Sequence, residues 1–187
     1  MIELSALQAL HNIDRIHDLF DQGELFIYPT DTVYGIGCDA TNQEAVAKLR
    51  EAKKRPKKPF SVIAPSPEWI ERNLDVPEYV EPYLERLPGP VTLILRKKDG
   101  ANVAPNVSGP KLGVRIPSHG LTELWQRFNK PFITTSANIS GEPTIQGIDE
   151  VPEKLREFVA LAIDDGKIGG SPSNVYDCTK NPPQQLR

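Results

Sequence analysis

The stretch LFIYPTDTVYGIG, residues 25–37, sets the frame for the rest of the chain. Leu25 to Tyr28 carries no charge and reads as a short buried strand. Pro29 ends it, because proline has no N–H to give to a ladder. Hydroxyls, one carboxylate, a phenol and two glycines follow. Gly35 and Gly37 permit close backbone approach, while Thr30, Thr32 and Tyr34 offer hydrogen bonds to a polar ligand. The same residues suit a turn whose hydroxyls satisfy their own backbone.

Upstream, Leu7, Leu10, Ile13, Ile16, Leu19 and Phe20 recur at helical spacing and Gly23 stops them, which predicts a helix or a broken pair over 6–22. Downstream, Ala45, Val46, Leu49 and Ala52 form the apolar stripe of a second helix. Thr41 or Asn42 caps it, and Pro56 limits its extension. Further strands are predicted at Phe60–Ala64, Val91–Arg96, Leu112–Ile116, Phe132–Thr135, Leu161–Asp164 and Asn174–Asp177, with helices near 67–73, 77–87, 119–129 and 150–158. Helices and strands interleave, so the expected class is α/β. The connections are too irregular for a repeated βαβ unit, and a mixed sheet with helices around it is expected.

The chain has 187 residues, a formal net charge of −3 and 39% hydrophobic residues, enough for one sizeable core and a single domain over 1–187. No stretch approaches the ~20 apolar residues of a membrane span, and MIELSALQAL lacks a secretory signal's basic flank, so a soluble, cytoplasmic protein with no membrane partner is expected. Cys38 and Cys178 form no CxxC pair, and His11, His17 and His119 form no ligand cluster, so no protein-built metal site is expected. The 18 prolines are spread from Pro29 to Pro183 and punctuate short elements.

Positive charge is concentrated in REAKKRPKKP, residues 50–59, which begins on the second helix and leaves it on a loop. Cations favour a helix C-terminus, so these residues suit a solvated helix end. They equally suit a phosphate or nucleic-acid site, although no aromatic residue interrupts them to stack a base. TTSANISG, residues 134–141, leaves a predicted strand through Ser136 and Asn138; such an exit can line a ligand crevice or form a plain turn. GxGxxG, GxxxxGK[ST] and GxSxG are all absent.

Together these segments resemble the YrdC family, also called the TsaC type, whose members make L-threonylcarbamoyladenylate. The resemblance runs through YPTDTVYGIG at 28–37, AKKRP at 52–56, PGPVTLIL at 88–95, GVRIP at 113–117, TSANISG at 135–141 and GGSPSNVYD at 169–177. It implies a twisted α/β fold with a basic concave cavity, in which threonine, bicarbonate and ATP combine and pyrophosphate leaves. Lys53 and Arg55 match the family's Lys-x-Arg pair and are the implied catalytic, phosphate-facing cations. Thr32, Arg115 and Ser173 match threonine-side positions, while Lys58, Thr134, Ser136 and Asn138 match nucleotide-side positions. Mg²⁺ is expected to arrive with ATP.

Three departures stand out: Lys58 where longer relatives often have Asn, Ile63 where they have His, and Ser173-Asn174-Val175 for Ser-Thr-Val. The length resembles the short, single-domain form, whose product passes to a separate tRNA threonylcarbamoyl transferase. Other readings are an RNA-binding or ribosome-maturation module that holds tRNA or double-stranded RNA in the same cavity, and a carbamoyl-transfer relative from metal-enzyme maturation.

Overall fold

The computed structural model describes residues 1–187. Ten strands join in one mixed sheet: β1 (Ile2–Ser5), β2 (Leu25–Tyr28), β3 (Gly35–Gly37), β4 (Ser61–Ile63), β5 (Val91–Arg96), β6 (Lys111–Arg115), β7 (Phe132–Ser136), β8 (Val159–Asp164), β9 (Asn174–Asp177) and β10 (Gln184–Gln185). Their order is β1-β8-β2-β3-β7-β4-β6-β5-β9-β10. β8 pairs in parallel with β1 and β2, β4 with β6, and β5 with β9; the other pairs are antiparallel.

Seven helices surround it: α1 (Ala6–His11), α2 (Ile13–Asp21), α3 (Gln43–Ala52), α4 (Pro67–Asn73), α5 (Glu81–Leu84), α6 (Thr122–Arg127) and α7 (Glu153–Arg156). Strands β2, β4, β7 and β8 send residues from their two faces to two cores. From β2, Leu25 and Ile27 join the larger cluster, beside Val46 and Leu49 of α3. Phe26 and Tyr28 join a smaller aromatic one, beside Phe20 of α2 and Trp125 of α6. Sequence LFIY is therefore uncharged because both faces of its strand are covered. No helix is long and apolar enough to cross a membrane.

The predicted alternation of helices and strands is present, and the first helix is indeed a broken pair. Ser5 caps α1 through a capping box with Gln8, and Asn42 caps α3 by accepting from the Glu44 and Ala45 amides. The predicted helix at 77–87 is a 3₁₀ turn over Glu78–Val80 followed by the single turn of α5, and those near 119–129 and 150–158 shrink to α6 and α7. Strands β1, β3 and β10 were not predicted. β3 reads GIG, poor in strand formers, because its neighbours leave no room: a Cβ at Gly37 would lie 1.7 Å from the Ile133 carbonyl oxygen.

Candidate active site

Strand ends and the loops beyond them enclose a cavity of about 270 Å³ near the middle of the sheet. Its lining includes Thr30 and Thr32 after β2, Arg55 after α3, Arg115 at the end of β6, Thr134 and Ser136 of β7, and Ser173 just before β9. Arg187 also reaches it, from the chain beyond the β9–β10 hairpin. Three arginines and several hydroxyls thus face one space with no Asp or Glu among its lining residues.

Local turns fix each wall. Thr30 Oγ1 accepts from the amides of Thr32 (3.1 Å) and Val33 (3.2 Å), closing the turn predicted as an alternative to a ligand loop, and the same segment lines the cavity. Thr32 Oγ1 also accepts from Arg115 at 3.2 Å. A second Arg115 nitrogen is paired with Asp31, whose other oxygen accepts from the Ser118 amide. Burial pulls the Arg115 guanidinium below its ordinary value, and the Asp31 carboxylate opposes that shift. Its Nε is buried without a partner, as is that of Arg55. Each is an unused donor on a residue that lines the cavity.

The residues of the basic run separate. Arg55 lines the cavity, donating to Thr135 Oγ1 at 3.1 Å and to the Pro59 carbonyl at 2.5 Å, with its guanidinium 4.9 Å from the centre of the Phe60 ring. Lys53 does not line it. Its ammonium sits behind the wall, donating to the Ser136 carbonyl (2.5 Å), the Asn138 carbonyl (2.7 Å) and Asn138 Oδ1 (3.1 Å). Asn138 is likewise turned inward, accepting from Ser136 Oγ at 2.6 Å and donating to the Glu142 carbonyl. Lys58 is exposed and outside the lining. Ile63 packs in the aromatic cluster, away from the cavity.

Burial, with help from the Arg55 charge, brings the Lys53 ammonium down to about 7, against three acceptors that favour the charged form. The unfolded chain keeps that proton up to the ordinary 10.5. Between these values the unfolded state binds more protons, so stability rises with pH, by at most about 1.4 kcal/mol per unit. Below about 7 both states are protonated and this contribution to the slope vanishes. Lys53→Met is expected to lose the rise and, by removing three hydrogen bonds and leaving the Asn138 carbonyl without a donor, about 1–3 kcal/mol of stability. Urea melts of both proteins from pH 6 to 9 check this.

Tyr34 ties three walls together. Its carbonyl accepts from the Ala137 amide, and its hydroxyl donates to the Gly166 carbonyl (2.7 Å) while accepting from the Asp165 amide (3.0 Å). Burial pushes this phenol up to about 12, so it stays a donor. It pins segment 165–172, which runs over Thr32: a Cβ on Gly170 would lie 2.0 Å from the Thr32 carbonyl oxygen. His119 holds the same segment through Asp165 at 3.2 Å.

Ser61, Thr92, Thr144 and Arg187 line the cavity but were not picked out from the sequence. Thr92 did leave a signal, as the only polar residue in the apolar run VTLIL. It is 5% exposed and pairs with Ser173 Oγ at 2.8 Å. Arg187 left none, since only the final hairpin brings it there.

Residues 18–187 match the family model Sua5_yciO_yrdC, described as "Telomere recombination". The chain belongs to the Sua5/YciO/YrdC family. A Vibrio campbellii member named threonylcarbamoyl-AMP synthase is 34% identical over 178 residues, covering 90% of this chain and 95% of that protein. The Pyrococcus abyssi Sua5 structure complexed with L-threonine superposes with a TM-score of 0.89 at 32% identity, over 100% of this chain and 56% of that one. This chain therefore spans about half the length of the P. abyssi family member. The E. coli family member YciO shares the fold, with a TM-score of 0.84 at 22% identity, over 100% of this chain and 92% of that one.

Proposed function

We propose that this chain is a threonylcarbamoyl-AMP synthase, which joins L-threonine, bicarbonate and ATP and releases pyrophosphate. The observation that carries the reading is a cavity lined by arginines and hydroxyls with no Asp or Glu, in a chain whose relatives bear that name. Such a lining suits substrates that are all anionic or zwitterionic.

The chemistry asks for positioning and charge, not a protein nucleophile. The threonine amine and bicarbonate give a carbamate with loss of water; a carbamate oxygen attacks the α-phosphorus, and the bond to the pyrophosphate oxygen breaks. Arg115, held by Asp31 and Thr32, would take the threonine carboxylate, with Ser173 and Thr92 alongside. Arg55, Ser136 and Thr134 would face the nucleotide, where negative charge moves onto phosphate oxygens. Lys53 and Asn138 would act from behind, by shaping the Ser136 turn. Lys58, exposed and outside the lining, is given no role in this reading.

Mg²⁺ would enter as part of the Mg–ATP substrate, since it commonly keeps waters and uses phosphate oxygens as ligands. No group of three or more His, Cys, Asp or Glu side chains gathers to hold a metal. The labile mixed anhydride would pass in the cytoplasm to a separate tRNA threonylcarbamoyl transferase.

The expected result is pyrophosphate release from Mg–ATP that needs both L-threonine and bicarbonate. Equal release without either co-substrate would reject the synthase. Salt-sensitive duplex-RNA binding with no adenylate formed would favour the RNA module instead.

A further inference from the structure

Arg50 stands in the last turn of α3, and its guanidinium is consumed entirely by main-chain carbonyls. Nε donates to Asn106 at 2.9 Å, and Nη2 to Asn106 at 2.6 Å and Val107 at 3.2 Å. Nη1 donates to the carbonyls of Arg55 at 2.8 Å and Lys58 at 3.0 Å. A guanidinium has five N–H groups, so none is left over. The plane also lies over Phe60, 4.6 Å from the ring centre, and Arg55 lies 4.9 Å from the same centre.

The loop that Arg50 grips has few other ties. Residues 56–59 make no hydrogen bond to other main chain and are exposed. Lys54 begins the loop in the left-handed region at φ 50°, and Pro56 and Pro59 contribute no N–H. Two carbonyls near the ends of this excursion, those of Arg55 and Lys58, meet at one nitrogen of Arg50. The 106–107 chain on the other side is itself secured, since Asn106 donates to the Gln43 carbonyl at the start of α3 and the Val107 carbonyl accepts from Phe60. A lysine would have one point of charge for these two loops and could not span them.

We propose that Arg50 is a positioning residue for the reaction: it sets the main chain from which Arg55 projects, and so fixes the plane that Arg55 presents to the nucleotide phosphates. This rests on the reading of Arg55 as a phosphate-facing residue. Arg50 itself does not line the cavity.

Four proteins test it: wild type, Arg50→Lys, Arg55→Ala and the double variant. Mg–ATP affinity is titrated without threonine, and amide hydrogen exchange is followed over residues 54–60 without ligand. Arg50→Lys is expected to weaken Mg–ATP binding about tenfold and to speed loop exchange about tenfold, with global unfolding in urea showing that the fold is retained. In the Arg55→Ala background it should change ATP affinity less than about twofold, because a residue acting through another loses its effect when that one is gone. An equal loss in both backgrounds would show independent action and overturn the proposal. Unchanged loop exchange would overturn it too. If Arg55→Ala leaves ATP affinity unaltered, the phosphate role of Arg55 falls and the proposal with it; loss at Arg55 with normal exchange in Arg50→Lys removes the proposal alone.

Discussion

Arg55→Lys is expected to slow threonine-dependent pyrophosphate release by about 30- to 1000-fold, while Lys57→Ala leaves it within about twofold. Two side chains separated by one residue, Pro56, carry the same formal charge, but only one lines the cavity. Arg55 is half-buried, anchored through Thr135 and Pro59, and flattened over Phe60, with Nε unpaired. Its remaining N–H groups are held in a fixed plane, ready for two oxygens at once. Lysine keeps the charge but loses the plane, and its three donors cannot replace the bonds to Thr135 and Pro59 while also gripping two phosphate oxygens. A loss of ~2–4 kcal/mol of transition-state stabilisation gives the stated range. Lys57 is exposed and touches nothing at the cavity. Rates of both variants, with thermal melts for folding, decide it. Equal losses would make the run a diffuse electrostatic patch; no loss at Arg55 would make it a helix-end cation.

The basic run shows how far the residues themselves could be read. Spacing placed it at the end of α3 and left open a solvated end or a phosphate site, and in the structure its members part company. Lys54, Lys57 and Lys58 are exposed, Arg55 enters the cavity, and Arg50 and Lys53 turn inward to hold loops. Helical spacing puts Lys53 on the buried stripe of Val46 and Leu49 and Lys54 off it, but does not say what Lys53 meets there. The difference arises because Lys54 takes the left-handed conformation that ends α3, leaving Lys53 under the Ser136–Asn138 turn, a contact 83 to 85 residues away in sequence.

The fold was legible where a strand is buried on two faces, as at β2, since an uncharged run has one explanation there. It was not legible at β1, whose pairing with β8 spans almost the whole chain, nor at β3, where close packing selects glycine over strand formers. The site followed the same rule. Hydroxyls in polar segments declared themselves, whereas Ser61 and Thr92 lie inside strands whose partners decide that they face the cavity.

Gly170→Ala is expected to raise the threonine concentration for half-maximal rate by about tenfold or more, with Gly169→Ala indistinguishable from wild type. The two glycines are neighbours, exposed, and outside the left-handed region, so neither backbone needs glycine for its conformation. Space separates them. A Cβ at Gly169 meets nothing within 4 Å, but one at Gly170 falls 2.0 Å from the Thr32 carbonyl oxygen and 3.0 Å from its carbon. Those are main-chain atoms of a turn locked by Thr30, so segment 165–172 must move instead. Tyr34 and His119 hold its near end, and the displacement therefore falls on Pro172 and Ser173, which line the cavity beside Thr32. Both glycines lie on an exposed segment, so the melting temperature should stay within about 4 °C of wild type, while the wall at the threonine end opens. Initial rates against threonine at saturating ATP provide the comparison. Wild-type behaviour of Gly170→Ala would mean that this segment is no wall of the threonine site. Equal damage at Gly169 would mean that the segment tolerates no side chain at all, whatever lies beneath it.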